Sequence, residues 1–480
     1  MTSVAATTAS EPVEEGMGPL GRRIGLVLGP AVVVALQLAG APEGLSREAW
    51  VTVSVLALMI VWWVTDAVPM AATALIPLVA LPLFGVATAA ETARPYADPI
   101  LFLFIGGFMI ATAIERWGLH ARIALGIAAR VGARPAALVG GFLLASVLIS
   151  FWISNTATAL MLTPIAVGVV RAMAENGHDD RAFAAGLVLA VAYGASIGGM
   201  GTPVGSPTNL IAMGYLNERG IPLSFGQWMT LGVPVVLLMT PALFWLATRG
   251  LRPATAEDTA RGRAVLAQAL GALGPMSRAE QRVLVVFLMV ALAWISRELL
   301  LIRLPGLERL SDMGIALLGA LALFLLPSGD AKTPRLLDWR TAERIPWGIV
   351  LLFGGGLSVA AAMESTGVSG WLAGELQPLG ALAPLVVIGA LLLVTLLATE
   401  LMSNVASLTA MLPIVGALAQ AVGINPLLLV FPVSIAASLG FMLPVATAPN
   451  AIAYATGYPS LRRMLAIGFA LNLAGVAAIG

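Results

Sequence analysis

The chain has 480 residues, 59% of them hydrophobic and only 11% charged, against roughly 25% charged in an ordinary soluble domain. Its mean hydropathy of +0.94 reads as an all-α polytopic membrane protein. The formal net charge of +1, with no basic run interleaved with aromatics, leaves no surface for nucleic acid. Without cysteine there is no disulfide, thiolate metal site or cysteine nucleophile. His120 and His178 stand outside any metal-binding motif and read as loop or interface residues.

Residues 1–23 are polar and acidic and read as a disordered tail. The apolar run that follows ends in "LQLAGAPEG", which would suit a signal-peptidase site. The acidic leader instead favours a retained first membrane helix within residues 24–48. Apolar stretches long enough to cross a bilayer then lie near 24–41, 49–65, 67–88, 98–117, 182–215, 227–248, 281–298, 311–327, 346–365, 426–457 and 463–479. These make eleven transmembrane helices. Residues 135–173 and 383–420 are apolar on both sides of a polar centre and read as re-entrant hairpins. Residues 249–280 are polar enough for a cytoplasmic linker.

Basic residues test this layout, because they concentrate in cytoplasmic loops. With a cytoplasmic N-terminus, only Arg47, Arg94, Arg219, Arg297, Arg303 and Arg309 of the 26 basic residues fall outside. The bias requires each hairpin to return to the side it came from, the first to the cytoplasm and the second to the exterior.

The two halves repeat. At an offset of 249 residues, "SNTATALMLTP" from Ser154 faces "SNVASLTAMLP" from Ser403 without a gap. The same offset pairs Phe104, Gly106, Gly107, Glu115 and Gly118 with Phe353, Gly355, Gly356, Glu364 and Gly367. Eight residues out of that register, "TPVGSPTNLIA" from Thr202 lies over "LPVATAPNAIA" from Leu443 and matches Asn209 to Asn450. The units span residues 49–248 and 281–480, each with five crossings and one hairpin. An odd number of crossings turns the second copy upside down, giving an inverted repeat, the architecture of many secondary transporters.

The polar centres carry the chemistry. Ser and Asn are good N-caps, and a helix restarting after Ser154-Asn155 or Ser403-Asn404 leaves amides free to face an anion. Pro203, Pro207, Pro444 and Pro449 break the other two elements. Ser150, Ser154, Asn155, Thr399, Ser403 and Asn404 supply neutral oxygens of the kind alkali cations prefer, and none of the four elements contains Asp, Lys or Arg. A bound cation and helix dipoles would together offset the charge of a small anion moving with Na⁺. The competing reading is helix packing through small polar residues; two copies in register, each followed by a proline-broken segment, favour transport. Glu115 and Glu364 read as interface or inter-helix partners, and Glu400 stays open between pairing and cation binding. The glycine clusters at Gly106-Gly107 and Gly354–Gly356 read as close helix contacts, because no P-loop lysine follows.

"ISNTATALMLTPI", "LMSNVASLTAMLPI" and "FMLPVATAPNAIAYATG" resemble the divalent anion/sodium symporter family, whose members carry dicarboxylates, citrate or sulfate. The likeness runs from about residue 50 to the C-terminus. It implies homodimers in the membrane lipid that move substrate by an elevator motion of a transport domain against a fixed scaffold. It further implies at least two Na⁺ sites. The first would use Ser150, Ser154, Asn155 and the backbone near Gly205, and the second Thr399, Asn404 and carbonyls near Met402 and Ala446. Substrate carboxylates would meet Asn155, Thr156, Asn404 and Thr447, with Ser206 and Pro207 as their pseudo-symmetric counterpart. Val405 and Ala448 hold the matching positions of the second half, where many bacterial members have threonine and proline. The expectation is a transporter importing a C4 dicarboxylate (succinate, malate or fumarate-like) with Na⁺. Alternatives on the same scaffold are Na⁺-independent dicarboxylate exchange and citrate or sulfate transport. Neither an intramembrane enzyme nor a channel fits: no Ser-His, Ser-Lys or paired-aspartate constellation lies in the spans, and no filter repeats. The preponderance of arginine over the single Lys332, with many Ala and Gly, points to a bacterial cytoplasmic membrane.

Overall fold

A computed structural model describes residues 19–174, 180–378 and 384–479. His178, residues 1–18 of the tail and residue 383 of the second hairpin lie outside the described residues. Those described are helical apart from connections and one isolated antiparallel bridge, Pro327 to Arg335. Ten described helices are long and apolar enough to cross a membrane, and five shorter apolar ones accompany them.

Three expectations need correction. The segment 1–23 is not wholly a tail, because a helix, Pro19–Ala39, starts within it. Arg22 is held there by Asp66 at 2.8 Å, and Asp66 closes the helix Arg47–Thr65 in a left-handed conformation. Residues 67–88 form no continuous helix. Prolines at 69, 77 and 82 divide them into Met70–Thr73 and Ile76–Leu83, because proline cannot continue a helix through its interior. Residues 249–280 are more than a linker: Thr255 and Asp258 cap a helix, Ala256–Ala272, that packs on Leu119–Val131 and Asn155–Ala174.

Leu119–Val131 and its counterpart Val368–Leu376 are helices that hydropathy alone did not reveal. Both begin after a repeated glycine, Gly118 at φ 71° and Gly367 at φ 81°. An L side chain is strained there, which explains why the repeat keeps glycine. The repeated glycine clusters bring helices into contact. A Cβ on Gly106 would stand 2.8 Å from the Ala316 carbonyl carbon, and one on Gly355 would stand 2.4 Å from Ala74 O.

The core centres on Arg181–Gly199, in which 94% of the most apolar window is buried. It packs against Pro135–Ser150, Asn155–Ala174, Phe225–Thr248 and Ala448–Ala455. Small residues allow this crowding: a Cβ on Gly186 would lie 2.4 Å from Ala247 O, and one on Gly198 would lie 2.3 Å from Val147 O. The Ser146 hydroxyl donates to Val191 O at 2.6 Å and ties the first hairpin to this helix.

Gly198→Ala forces backbone atoms apart and is expected to lower the thermal unfolding midpoint in detergent, with a cost of about 1–3 kcal/mol. Gly168 has open space around its α-carbon, so Gly168→Ala is expected to hold or raise the midpoint through helix propensity, by roughly 0.5–1 kcal/mol. Equal midpoints for the two variants would contradict the packing assigned to the central helix.

Candidate functional site

The first hairpin stops at Ser150 and restarts at Asn155. Ser154 makes the restart possible by accepting the Ala157 amide at 3.3 Å. The second pauses between Pro384–Leu401 and Asn404–Val422, where Ser403 accepts the Ala406 amide at 3.2 Å. Two further helices begin beside them: Pro207–Glu218 after Ser206, and Ala448–Ala455 after Thr447.

These four starts share one cavity of about 500 Å³. All eight residues expected to meet substrate line it: Asn155 and Thr156, Ser206 and Pro207, Asn404 and Val405, Thr447 and Ala448. Of the expected cation ligands, Ser154, Asn155, Asn404 and Ala446 reach its wall. Ser150, Gly205 and Thr399 are buried behind it. Met402 is not part of the wall and packs among apolar residues. First-turn amides of a helix have no intrahelical partner, so four positive dipole ends face one polar space. A second cavity of about 480 Å³, lined by Ser46, Glu48, Glu91 and Ser358 among others, includes none of the paired-motif residues.

Behind the wall lie two matched oxygen clusters. Thr399 Oγ1 stands 2.8 Å from Asn404 Oδ1 and 2.6 Å from Ala437 O. A threonine hydroxyl has one proton, so it can satisfy only one of these acceptors. Ser150 Oγ repeats the arrangement, 2.9 Å from Asn155 Oδ1 and 3.5 Å from Ile153 O. Gly205 packs where a Cβ would stand 2.7 Å from Gly199 O and 2.9 Å from Ser150 O, which brings two more carbonyls close. Each cluster therefore holds more acceptors than protons, and an alkali cation fits such a donor set.

Side chains make the breaks affordable in an apolar interior. The Asn209 amide donates to Gly199 O and Thr202 O, both at 2.7 Å, and the Asn450 amide donates to Gly440 O and Leu443 O, both at 2.9 Å. Thr202 donates to Phe151 O and accepts the Gly205 amide. At the position equivalent to Phe151 stands Glu400, a buried carboxylate that accepts from the Met442 and Leu443 amides at 2.9 and 3.0 Å and from the Asn472 amide at 2.9 Å. Glu400 thus holds the backbone that leads to Ala446 and Thr447. Glu364 is exposed and pairs with Arg219 at 3.5 Å.

Sequence reasoning gave five residues no place at the site. Asn209 and Asn450 were visible as a repeat pair but carried no role. Ala437 supplies a carbonyl, for which a sequence gives no signal. Arg344 and Glu115 bring opposite charges to the cavity wall, both from outside the four elements. The connection that carries Arg344 is tied down where Arg116 donates to Asp338 at 2.6 Å, a bond that holds the Asp338 carboxyl below the usual carboxylate range.

Solved structures with the same overall fold are membrane transporters. MtrF of Neisseria gonorrhoeae, from a class of antimetabolite efflux pumps, aligns over 96% of this chain and 95% of its own with a TM-score of 0.57 and 13% identity. The YdaH transporter of Alcanivorax borkumensis aligns over 90% and 97% with a TM-score of 0.56 and 14% identity. At these identities the likeness is one of fold. Sequence relatives are closer: the sodium-dependent dicarboxylate transporter SdcS of Staphylococcus saprophyticus is 36% identical over 469 residues, covering 96% of this chain and 90% of the relative. SdcS of Staphylococcus aureus is 36% identical over 464 residues, covering 94% and 89%. The protein is therefore a multi-pass transporter of the cell membrane and not an enzyme. Residues 22–479 match the sodium:sulfate symporter transmembrane region, and the chain belongs to that family.

Glu400→Gln would point an amide N–H₂ at backbone N–H groups, and an unmet buried donor costs about 1–3 kcal/mol. The expected outcome is a lower thermal midpoint and weaker stabilisation of the detergent-solubilised protein by Na⁺. Glu364→Gln removes only a surface pair, worth about 0–1 kcal/mol, and is expected to leave both readings unchanged.

Proposed function

We propose that the protein imports a C4 dicarboxylate such as succinate, malate or fumarate together with Na⁺, by an elevator motion. The observation that carries this reading is the meeting of four helix N-termini and two proton-poor oxygen clusters at one cavity. Helix ends and bound cations together would offset two carboxylates, while the motif elements themselves bring no fixed cation. Relatives named as sodium-dependent dicarboxylate transporters, alike over nearly the whole chain, support the cargo and the coupling ion.

In this reading Ser150, Ser154, Asn155 and the Gly205 backbone bind one Na⁺, and Thr399, Asn404 and the carbonyls near Met402 and Ala446 bind a second, with Ala437 O added. Asn155, Thr156 and Ser206 meet one carboxylate, with Pro207 beside them. Asn404 and Thr447 meet the other, beside Val405 and Ala448. The units 49–248 and 281–480 form an inverted repeat with eleven crossings and re-entrant hairpins, and two chains associate as a homodimer in lipid. The exposed Arg344 and Glu115 line the cavity on the side where the arginine bias puts the cytoplasm, which supports an inward-facing arrangement. A lipid-facing block with both hairpins would carry the cavity to the opposite side.

Uptake of labelled succinate into proteoliposomes tests the proposal. Inward Na⁺ gradients are expected to drive accumulation, and Asn155→Ala and Asn404→Ala are each expected to reduce it at least tenfold, the equivalent of roughly 1.4 kcal/mol. Flux indifferent to Na⁺ would replace symport by exchange, and competition by citrate or sulfate but not succinate would replace the cargo. Val405→Thr supplies a hydroxyl opposite Thr156. Its expected effect is a KM for succinate lowered by about two- to tenfold with kcat unchanged, as added uniform binding requires.

A further inference from the structure

Four buried hydroxyls form a bridge between the halves of the molecule. Ser206 Oγ, on the cavity wall, is 2.8 Å from Thr208 Oγ1, which is 3.0 Å from Ser438 Oγ. Ser434, one turn before Ser438, donates to Thr208 O at 3.3 Å, so Thr208 is gripped through both its side chain and its carbonyl. Ser206, Thr208, Ser434 and Ser438 are all at most 3% exposed. Ser438 shares a peptide unit with Ala437, whose carbonyl accepts the Thr399 hydroxyl at 2.6 Å. That unit is planar and rigid, so displacement of Ser438 Cα also displaces Ala437 O. The path Ser206, Thr208, Ser438, Ala437 and Thr399 thus runs without a gap from the first half's cavity wall to the second half's oxygen cluster.

We infer that Thr208 is a coupling residue: it transmits the occupancy of the carboxylate position at Ser206 to the cation cluster at Thr399. The inference rests on the Na⁺-coupled reading above and adds to it a defined route between ion and cargo. The bridge is one-sided. In the repeat register, Thr208 faces Pro449 and Ser438 faces Ile197, so the second half returns no equivalent contact to the first cluster. Packing alone does not require the hydroxyl, because valine would fill the volume of threonine. A route of hydrogen bonds does require it.

Coupling is read as the factor by which succinate lowers the Na⁺ concentration for half-maximal stabilisation of the purified full-length protein, since linkage makes the two bindings reciprocal. The same proteins are assayed for uptake in proteoliposomes. For the wild type the factor is expected to be at least about fivefold. Thr208→Val and Ser438→Ala are each expected to reduce it below about twofold, the double variant no further, and Thr208→Ser to restore it. Retention of the wild-type factor by a folded Thr208→Val or Ser438→Ala protein overturns the inference, as does simple addition of the two effects. If Thr208→Val does not fold, Ser438→Ala removes the same bond from the other side and decides the matter. A wild type with no Na⁺-dependent succinate flux overturns the functional reading and this inference together. Normal wild-type flux with unchanged variants overturns the inference alone.

Discussion

Everything in this molecule depends on how an apolar interior treats an unpaired peptide group. A carbonyl or amide without a partner there costs several kcal/mol, and the chain interrupts its helices four times around one cavity. The interruptions persist because Asn209 and Asn450 each hold two carbonyls, while Glu400 takes two amides that have left their helix. These side chains leave selected oxygens and helix ends unmatched at the cavity, where a mobile ion or an anion can complete them.

The two halves solve this problem in related but unequal ways. Ser150 with Asn155 and Thr399 with Asn404 are nearly superimposable in chemistry. Their supports diverge: Thr202 reaches the Phe151 carbonyl in the first half, whereas a full carboxylate does the corresponding work in the second. The cavity wall diverges as well, with a hydroxyl at Thr156 and methyl groups at Val405. A cargo with two similar ends would therefore meet two different environments, and orientation in the cavity becomes a variable that a symmetric pair of motifs would not have.

How far the sequence revealed this can be judged residue by residue. The motif elements were legible because serine, asparagine and proline stand out in hydrocarbon, and every expected substrate residue lies on one cavity wall. The register of the repeat paired Asn209 with Asn450 but not with their carbonyl partners, since any residue can supply a carbonyl. Leu119–Val131 and Val368–Leu376 escaped notice because short helices with mixed faces resemble loops in hydropathy. Residues 67–88 misled for the opposite reason: their apolarity is continuous, but prolines set the geometry. Glu400 illustrates a third limit, as one carboxylate can bind a cation or a pair of amides, and only its surroundings decide.

The glycine- and alanine-rich helix Arg181–Gly199 has a mechanical consequence. Backbone packed directly on backbone, as at Gly198 and Val147 or Gly186 and Ala247, has no side chains to flex and almost no compliance. This helix leads into the Thr202–Gly205 turn and touches both Asn155–Ala174 and Ala448–Ala455. It acts as a keel to which the first oxygen cluster and the Ala448–Ala455 helix of the second half are fastened. In the proposed cycle, a displacement of the first cluster therefore carries the Ala448–Ala455 wall of the cavity with it.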